Sequence, residues 1–409
     1  MQFQTLDNKN QCVGVYINDE LTFGELPDNL TRTWDYSSFM RGQDIEYAQL
    51  YCAGASLAEV CPEHLATNWE RTKSALKSHY KAFATSKIDM SEHCFYDMVP
   101  EKMLYDYCES KDAITAWVFE NYERPENYEF LRSLVEEVDQ LSYKQLNLDF
   151  NALKSIRHKT QVLKFIKKYA GRPQFCRYNV FGTKTGRLTT RPGSFPILTM
   201  PREYRSIIKP SNDWFLELDY NAAELRTVLG LAGQAQPEGD IHEWNIERVF
   251  GGRMTRDEAK QKVFAWLYGS TLYTNDGVHK ESVGKALSEV YRKEEIVGQY
   301  WTGTHVRTRF GRCIPSDHHH ALNYIIQSST VDITLGKLIE LADLLRDCKS
   351  SVAFTLHDSV IIDLSDDDRR LVPEMVRIFG DTALGKFKTN VSAGKDFGNM
   401  RPLRLPKSK

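Results

Sequence analysis

The chain has 409 residues, 41% of them hydrophobic and 26% charged, a composition typical of a globular protein with two to three domains. No apolar run approaches the roughly 18 residues of a membrane helix, and the N-terminus lacks a signal-peptide pattern, so we expect a cytoplasmic protein without a membrane span. Its eight cysteines form no C-x-x-C pair, which favours reduced thiols over disulfides or a zinc site.

Charge is unevenly distributed along the chain. Residues 1–150 contain 13 Lys and Arg against 26 Asp and Glu, whereas residues 151–210 contain 14 basic residues and one acidic residue, Glu203. A solvated basic face would explain such a segment. An excess of this size is more typical of a surface that binds nucleic-acid phosphates.

The first part of the chain, residues 1–120, mixes strand and helix patterns and shows no catalytic constellation. Its one Asp-x-Glu pair, Asp44 and Glu46, is typical of the first turn of a helix. Helical patterns occupy residues 126–170. The segment rich in Gly and Thr that follows predicts a loop or irregular hairpin, in which Lys184 and Arg187 offer cations to a nucleic-acid backbone.

Two aspartates occupy places where a lone charge is costly. Residues 214–219 alternate as a strand that ends in Asp219, and residues 352–363 form a hairpin pattern hinged at His357 and Asp358. Two carboxylates about 4 Å apart repel by roughly 4 kcal/mol at an effective dielectric of 20, and divalent cations remove that repulsion. The pattern indicates a two-metal phosphoryl-transfer centre; the alternative is two unrelated aspartates, one capping a helix and one in a turn.

Two helix patterns carry further candidate residues. A capping box at Thr255 begins a helix with a stripe of residues spaced by four: Arg256, Lys260, Phe264 and Tyr268. Two cations followed by two rings suit a nucleotide, although an ordinary amphipathic helix would leave the same stripe in water. Farther on, a long helix pattern places Asn323 and Gln327 on one face, where the alternative to binding is a polar helix edge.

The order of these strings resembles a known family. TGRL, DYNAAELR, DIHEWN, RDEAKQKVFAWLYG, Asn-x-x-x-Gln and a strand with His-Asp are similar to the polymerase domain of family A DNA polymerases, the bacterial polymerase I group and its phage relatives. The resemblance covers about residues 175–405. In the N-terminal part, LYDYCESKDAITAWVFENY resembles the last helix of the family's proofreading domain, but Tyr107 and Asp112 stand one residue too far apart.

The resemblance implies roles for the matching residues. Asp219 and Asp358, with the carbonyl of Tyr220, would hold two Mg²⁺ ions, and Lys260 would assist catalysis. The incoming dNTP would contact Arg256, Lys260, His242, Phe264, Tyr268 and Glu224, the last as a steric gate against a ribose 2′-hydroxyl. Primer–template DNA would contact Lys184, Arg187, Asn323, Gln327 and His357.

The resemblance also implies an α+β fold, a right-hand polymerase with an antiparallel palm sheet, helical fingers, a reduced helical thumb and a small mixed N-terminal domain. We predict a degenerate exonuclease-like domain over residues 1–120 and a thumb over 121–185. The palm would comprise residues 186–232 and 321–409, with the fingers over 233–320.

Three departures from the family modify this expectation. Ser359 stands where the family usually has a glutamate, PILTMP replaces a polar N-L-Q-N-I-P stretch, and only about 50 residues are available for the thumb. We therefore expect a phage-like DNA polymerase, acting in a host cytoplasm, without proofreading and with a weak grip on duplex that a processivity or accessory protein would strengthen. The alternatives are a phage-type RNA polymerase, against which Glu224 and Phe264 argue, and a non-catalytic DNA-binding accessory subunit.

Overall fold

The computed structural model describes residues 2–6, 12–18, 20–28, 30, 32–35, 47–89, 93, 95–252, 254–269 and 277–403. The chain divides into two compact units, Met1–Arg132 and Ser133–Lys409. The pair Asp44 and Glu46 lies outside the described residues. Over the described ranges, no helix is long and apolar enough to cross a bilayer.

The first unit contains a small mixed sheet. Its strands are β1 (Gln2–Leu6), β2 (Cys12–Ile17), β3 (Glu20–Thr22) and β4 (Arg32–Asp35). They lie in the order β3-β2-β1-β4, antiparallel except for the parallel pair of β1 and β4. The strand pattern expected in the first part of the chain is confirmed by β2, which reads CVGVYI.

Two long helices form the core of this unit. The helices are α1 (Tyr47–Tyr51), α2 (Leu57–Val60), α3 (Glu63–Thr85), α4 (Phe95–Met98) and α5 (Glu101–Asn121), and α6 (Tyr128–Ser142) crosses into the second unit. Trp69 of α3 stacks on Tyr107 of α5 with ring centroids 5.4 Å apart. Leu76 and Leu104 are completely buried beside them, so apolar burial joins α3 to α5.

The second unit is built from helices around one larger sheet. Its helices are α7 (Thr160–Tyr169), α8 (Ala223–Leu231), α9 (Ile241–Arg248), α10 (Arg256–Leu267), α11 (Gly277–Tyr291), α12 (Lys293–Tyr300), α13 (His318–Leu344) and α14 (Val372–Gly380). Short 3₁₀ helices span Phe150–Ile156, Arg202–Ile207 and Asp366–Leu371.

The strands of the second unit are mostly short. They are β5 (Asn147–Leu148), β6 (Tyr178–Asn179), β7 (Thr189–Thr190), β8 (Ile208–Lys209), β9 (Trp214–Tyr220), β10 (His305–Arg307), β11 (Cys313–Pro315), β12 (Ser351–Leu356), β13 (Ser359–Leu364), β14 (Asp381–Thr382), β15 (Gly385–Lys386), β16 (Thr389–Gly394) and β17 (Arg401–Pro402). The predicted irregular hairpin with Lys184 and Arg187 is the loop between the paired strands β6 and β7.

The central sheet is antiparallel, with five strands in the order β12-β13-β9-β16-β17. Alternation along β9 turns Tyr220 to one side and Asp219 to the other. The ring of Tyr220 stacks on Phe379 of α14 at 4.2 Å, and its hydroxyl donates to the Phe379 carbonyl at 2.7 Å. Helix α14 therefore covers the side of the sheet opposite Asp219.

Local signals account for the elements around the site. The Thr255 side chain accepts from the Glu258 N–H, and the Glu258 carboxylate accepts from the Thr255 N–H, so the predicted capping box is present at α10. The hairpin of β12 and β13 turns through His357, whose left-handed backbone (φ 56°) suits a two-residue turn. The strand that carries Asp219, the hairpin that carries Asp358 and the helix predicted to begin at Thr255 are thus confirmed.

Candidate active site

The structure brings Asp219 and Asp358 to the same end of two neighbouring strands. Strands β9 and β13 pair with Asp219 opposite Ser359, and Asp358 immediately precedes Ser359 in the turn. Burial, and then the charge of Asp358, raises the pKa of Asp219 to about 7. Asn390, opposite Asp219 on β16, donates to its carboxylate at 3.3 Å. The sequence offered no signal for Asn390, because its position depends on strand register.

The donor set at this edge is chemically suited to Mg²⁺. Carboxylates and a backbone carbonyl are hard oxygen ligands, and Mg²⁺ in phosphoryl-transfer sites binds one or two carboxylates together with substrate phosphates and water. The side chain of Tyr220 is committed to Phe379, so only its carbonyl could serve as a ligand. Among the described residues, no group of three or more His, Cys, Asp or Glu is arranged to hold a metal ion.

A cleft of about 320 Å³ adjoins Asp358. Its lining includes Arg187, Glu224, Phe264, His357 and Asp358. The Glu224 carboxylate accepts from Arg187 at 3.0 Å. It also accepts from the Tyr268 hydroxyl at 2.6 Å. Glu224 is therefore held in one orientation between a cation and a phenol at the wall of the cleft.

Helices α9 and α10 carry a group of basic residues, His242, Arg256 and Lys260. His242 is 2% exposed, and its ring lies 6.4 Å from that of Phe264, which joins this group to the small cleft. Burial lowers the pKa of His242, and the charges of Arg256 and Lys260 lower it further against the opposing charge of Asp240. Arg256 and Lys260 thus lie close enough to His242 for their charges to affect its protonation.

A larger cleft of about 960 Å³ is lined by three further predicted residues. Tyr268, Asn323 and Gln327 line it together with Glu224, so the two clefts share one wall residue. Asn323 and Gln327 thus lie on one face of α13, as predicted. Lys184 is exposed in its loop and lines neither cleft.

Sequence reasoning missed a buried ion pair behind the Arg187 loop. Arg312, in the turn between β10 and β11, binds Asp332 of α13 at 2.7 Å. Gly186 packs against this guanidinium so closely that an added Cβ would stand 2.4 Å from it. The pair therefore fixes the backbone from which Arg187 projects. The glycine before Arg187 was visible in the sequence, but its distant partner was not.

Comparison with known proteins finds similarity to DNA polymerases. No protein-family model matches the sequence. The chain is 26% identical to a DNA polymerase of Mycobacterium phage D29 in an alignment that covers 38% of this chain and 32% of the phage protein. The match thus spans about a third of that relative's length. Among solved structures, the polymerase domain of Pol1 from M. smegmatis, in complex with DNA primer-template and dNTP, gives a TM-score of 0.46 at 14% identity over 86% of this chain and 66% of that one.

Proposed function

We propose that the protein is a template-directed DNA polymerase of family A, which adds dNTPs to a primer 3′-hydroxyl and releases pyrophosphate. The observation that carries the proposal is the pairing of β9 with β13, because Asp219 then lies opposite the residue after Asp358, and Asp358 lines a cleft. The partial similarity to a phage DNA polymerase supports the same class of reaction and a phage origin, with action in the host cytoplasm.

Asp219, Asp358 and the Tyr220 carbonyl would hold two Mg²⁺ ions. Bound there, the ions would acidify the primer hydroxyl and neutralise charge on the triphosphate. Arg256, Lys260 and His242 would bind the phosphates of the incoming nucleotide. Lys260 would also stabilise the charge that develops on the leaving pyrophosphate, because its exposed ammonium lies on the same face of α10 as Arg256.

The small cleft would select the sugar. Phe264 would pack on the deoxyribose, and Glu224 would occupy the space that a 2′-hydroxyl needs. The bonds from Arg187 and Tyr268 support this role, since a gate excludes a hydroxyl only if its own side chain cannot swing away. Burial and the neighbouring Glu224 raise the pKa of Tyr268, which keeps its hydroxyl protonated as the donor.

The larger cleft and a basic surface would bind primer–template. Tyr268 would lie near the templating base, and Arg187, Asn323 and Gln327 would contact the minor groove of the primer–template. Lys184 would bind DNA beside them, and His357 would lie at the primer terminus. Residues 154–172 contain no acidic residue and expose the lysines of α7, Lys164, Lys167 and Lys168. We assign α7 to the thumb, the sheet to the palm and α9–α12 to the fingers, and expect an accessory protein to extend the grip of this short thumb on duplex.

We propose that the first unit performs no proofreading. Nuclease centres of the two-metal type require several carboxylates, yet the central strand β1 reads QFQTL and contains none. Tyr107 is completely buried in the core against Trp69, which removes it as a residue that contacts DNA. Metal-dependent trimming of a mismatched primer terminus by the purified protein would overturn this assignment.

Primer extension tests the central proposal. The assay uses a short primer–template with Mg²⁺, compares dNTPs with NTPs, and includes wild type, Asp358→Ala and Asp367→Ala. Asp367 is a matched control because it is an exposed aspartate beyond the opposite end of β13. We expect extension with dNTPs alone, lost only in Asp358→Ala. Extension with NTPs would indicate an RNA polymerase, and duplex binding without extension in all three proteins would indicate an accessory subunit.

A further inference from the structure

Asp240 joins three elements of the second unit. It directly precedes α9, and its carboxylate accepts the backbone N–H groups of His242 at 2.8 Å and Glu243 at 3.2 Å. The same carboxylate accepts Asn221 Nδ2 at 2.8 Å. It also accepts Arg256 Nε at 3.3 Å and Nη2 at 2.8 Å. One side chain thus connects the end of β9 with the starts of α9 and α10.

Asn221 fixes this connection relative to the catalytic strand. It follows Tyr220 directly and is 6% exposed. Its Oδ1 accepts from the Ile241 N–H at 2.9 Å and from Arg226 Nη2 at 3.2 Å. Both ends of the Asn221 amide are therefore occupied, so Asp240 cannot move without disturbing the segment that carries Asp219.

The contact leaves one edge of the Arg256 guanidinium for a ligand. Nε and Nη2 of Arg256 both donate to Asp240 Oδ2. Nη1 lies on the other edge of the planar guanidinium. A guanidinium held along one edge presents the other with little further loss of freedom, which favours two parallel bonds to a phosphate. Lys260 and His242 share the same environment.

We propose that Asp240 is a positioning residue for nucleotide binding, which orients Arg256 so that its free edge meets the triphosphate. This inference rests on the proposed polymerase function and adds to it a residue that touches neither metal nor substrate. The opposite role would be competition, in which Asp240 occupies Arg256 and must be displaced by the nucleotide. The two roles predict opposite changes in nucleotide affinity.

The test is Asp240→Asn, because Asn caps a helix as well as Asp does and α9 should persist. We expect KM for dNTP to rise about tenfold, the effect of one lost charge-assisted hydrogen bond, while kcat changes less than about twofold. The affinity for primer–template should stay the same. Glu238→Gln is the matched control, since Glu238 is an exposed carboxylate two residues earlier in the same loop, and its KM should equal that of wild type.

A double-mutant cycle shows whether Asp240 acts through Arg256. In an Arg256→Gln background, Asp240→Asn should change KM by less than about twofold, because the group it orients is already gone. An equal tenfold rise in both backgrounds would overturn the proposal in favour of a general structural role. A fall in KM for the single variant would overturn it in favour of competition.

Equilibrium binding separates this inference from the proposed function. Binding of dATP to the complex of the protein with a dideoxy-terminated primer–template reports the same contact without chemistry, and Asp240→Asn should weaken it by the same factor. If wild type extends primers while KM and dATP binding are unchanged in Asp240→Asn, only the role of Asp240 fails. If wild type neither extends nor binds dATP, both proposals fail.

Discussion

Replacing Asp219 with Asn should stabilise the metal-free protein at alkaline pH. Burial and the charge of Asp358 raise the pKa of Asp219 from 3.8 to about 7, so folding favours the protonated carboxyl. A raised pKa means that the folded state binds more protons than the unfolded state between these values, and stability therefore falls as pH rises from about 4 to about 7. Above pH 7 the ionised carboxylate of Asp219 destabilises the folded state by its full amount. The Asp219→Asn variant has no charge at this position and escapes that destabilisation.

The magnitude follows from the size of the shift. Roughly three pKa units at about 1.4 kcal/mol per unit give about 4 kcal/mol as an upper bound. Asp219 is half-buried rather than enclosed, and water reaching the ionised carboxylate reduces this bound. We expect the free energy of unfolding of Asp219→Asn to exceed that of wild type by about 2 kcal/mol at pH 8. The difference should fall to about 1 kcal/mol near pH 5 and disappear near pH 4.

Urea unfolding in the presence of EDTA near pH 4, 5 and 8 measures this difference in the free energy of unfolding. Asp367→Asn is the matched control, because Asp367 is an exposed aspartate beyond the opposite end of β13 and forms a surface ion pair with Lys349. That control should change the free energy of unfolding by less than about 1 kcal/mol at each pH. Added Mg²⁺ should stabilise wild type more than Asp219→Asn. A variant less stable than wild type in EDTA at pH 8, or a gain that grows as pH falls, would refute the reasoning.

Three further changes test other parts of the site. Glu224→Ala should lower the preference for dNTP over NTP, as a ratio of kcat/KM, by about 100-fold or more, and an unchanged ratio would remove the gate role. Gly186→Ala should cost about 2–3 kcal/mol in urea unfolding, since its backbone is left-handed (φ +80°) and the new Cβ would meet Arg312; a neutral effect would contradict the packing. The double variant Lys164→Gln/Lys167→Gln should reduce the slope of log Kd for duplex DNA against log salt concentration by about 1.8 and leave KM for dNTP unchanged. An unaltered slope would mean that duplex DNA does not contact α7.

The elements that carry the aspartates were predictable because their signals are local. Alternation over a few residues defines β9, and two apolar runs flanking His357 and Asp358 define the hairpin. The capping box at Thr255 likewise requires only four residues. The pairing of β9 with β13 joins segments far apart in sequence. The sequence indicated this pairing only through the energetic cost of leaving two carboxylates unpaired.

The supporting contacts were not predictable because they depend on register and folding of distant segments. Asn390 reaches Asp219 across 171 positions of sequence. Arg312 meets Asp332 through the packing of a hairpin on α13. Asp240 did stand in the recognised string DIHEWN, but its pattern predicts only a helix cap, which it also provides. Its bond to Arg256 emerges only when α9 and α10 are packed side by side.

Ser359 gives the centre its particular electrostatic character. Its side chain is buried and donates to the Leu356 carbonyl at 2.9 Å, which closes the turn that holds His357 and Asp358. Ser359 lies directly opposite Asp219, so their Cβ atoms are about 5 Å apart. A glutamate at this position would bring a third carboxylate close to Asp219, whose ionised form burial already disfavours. The serine thus limits the repulsion in the metal-free protein. In the proposed two-metal centre the two carboxylates remain the side-chain ligands, so Mg²⁺ should bind more tightly once a nucleotide supplies phosphate oxygens.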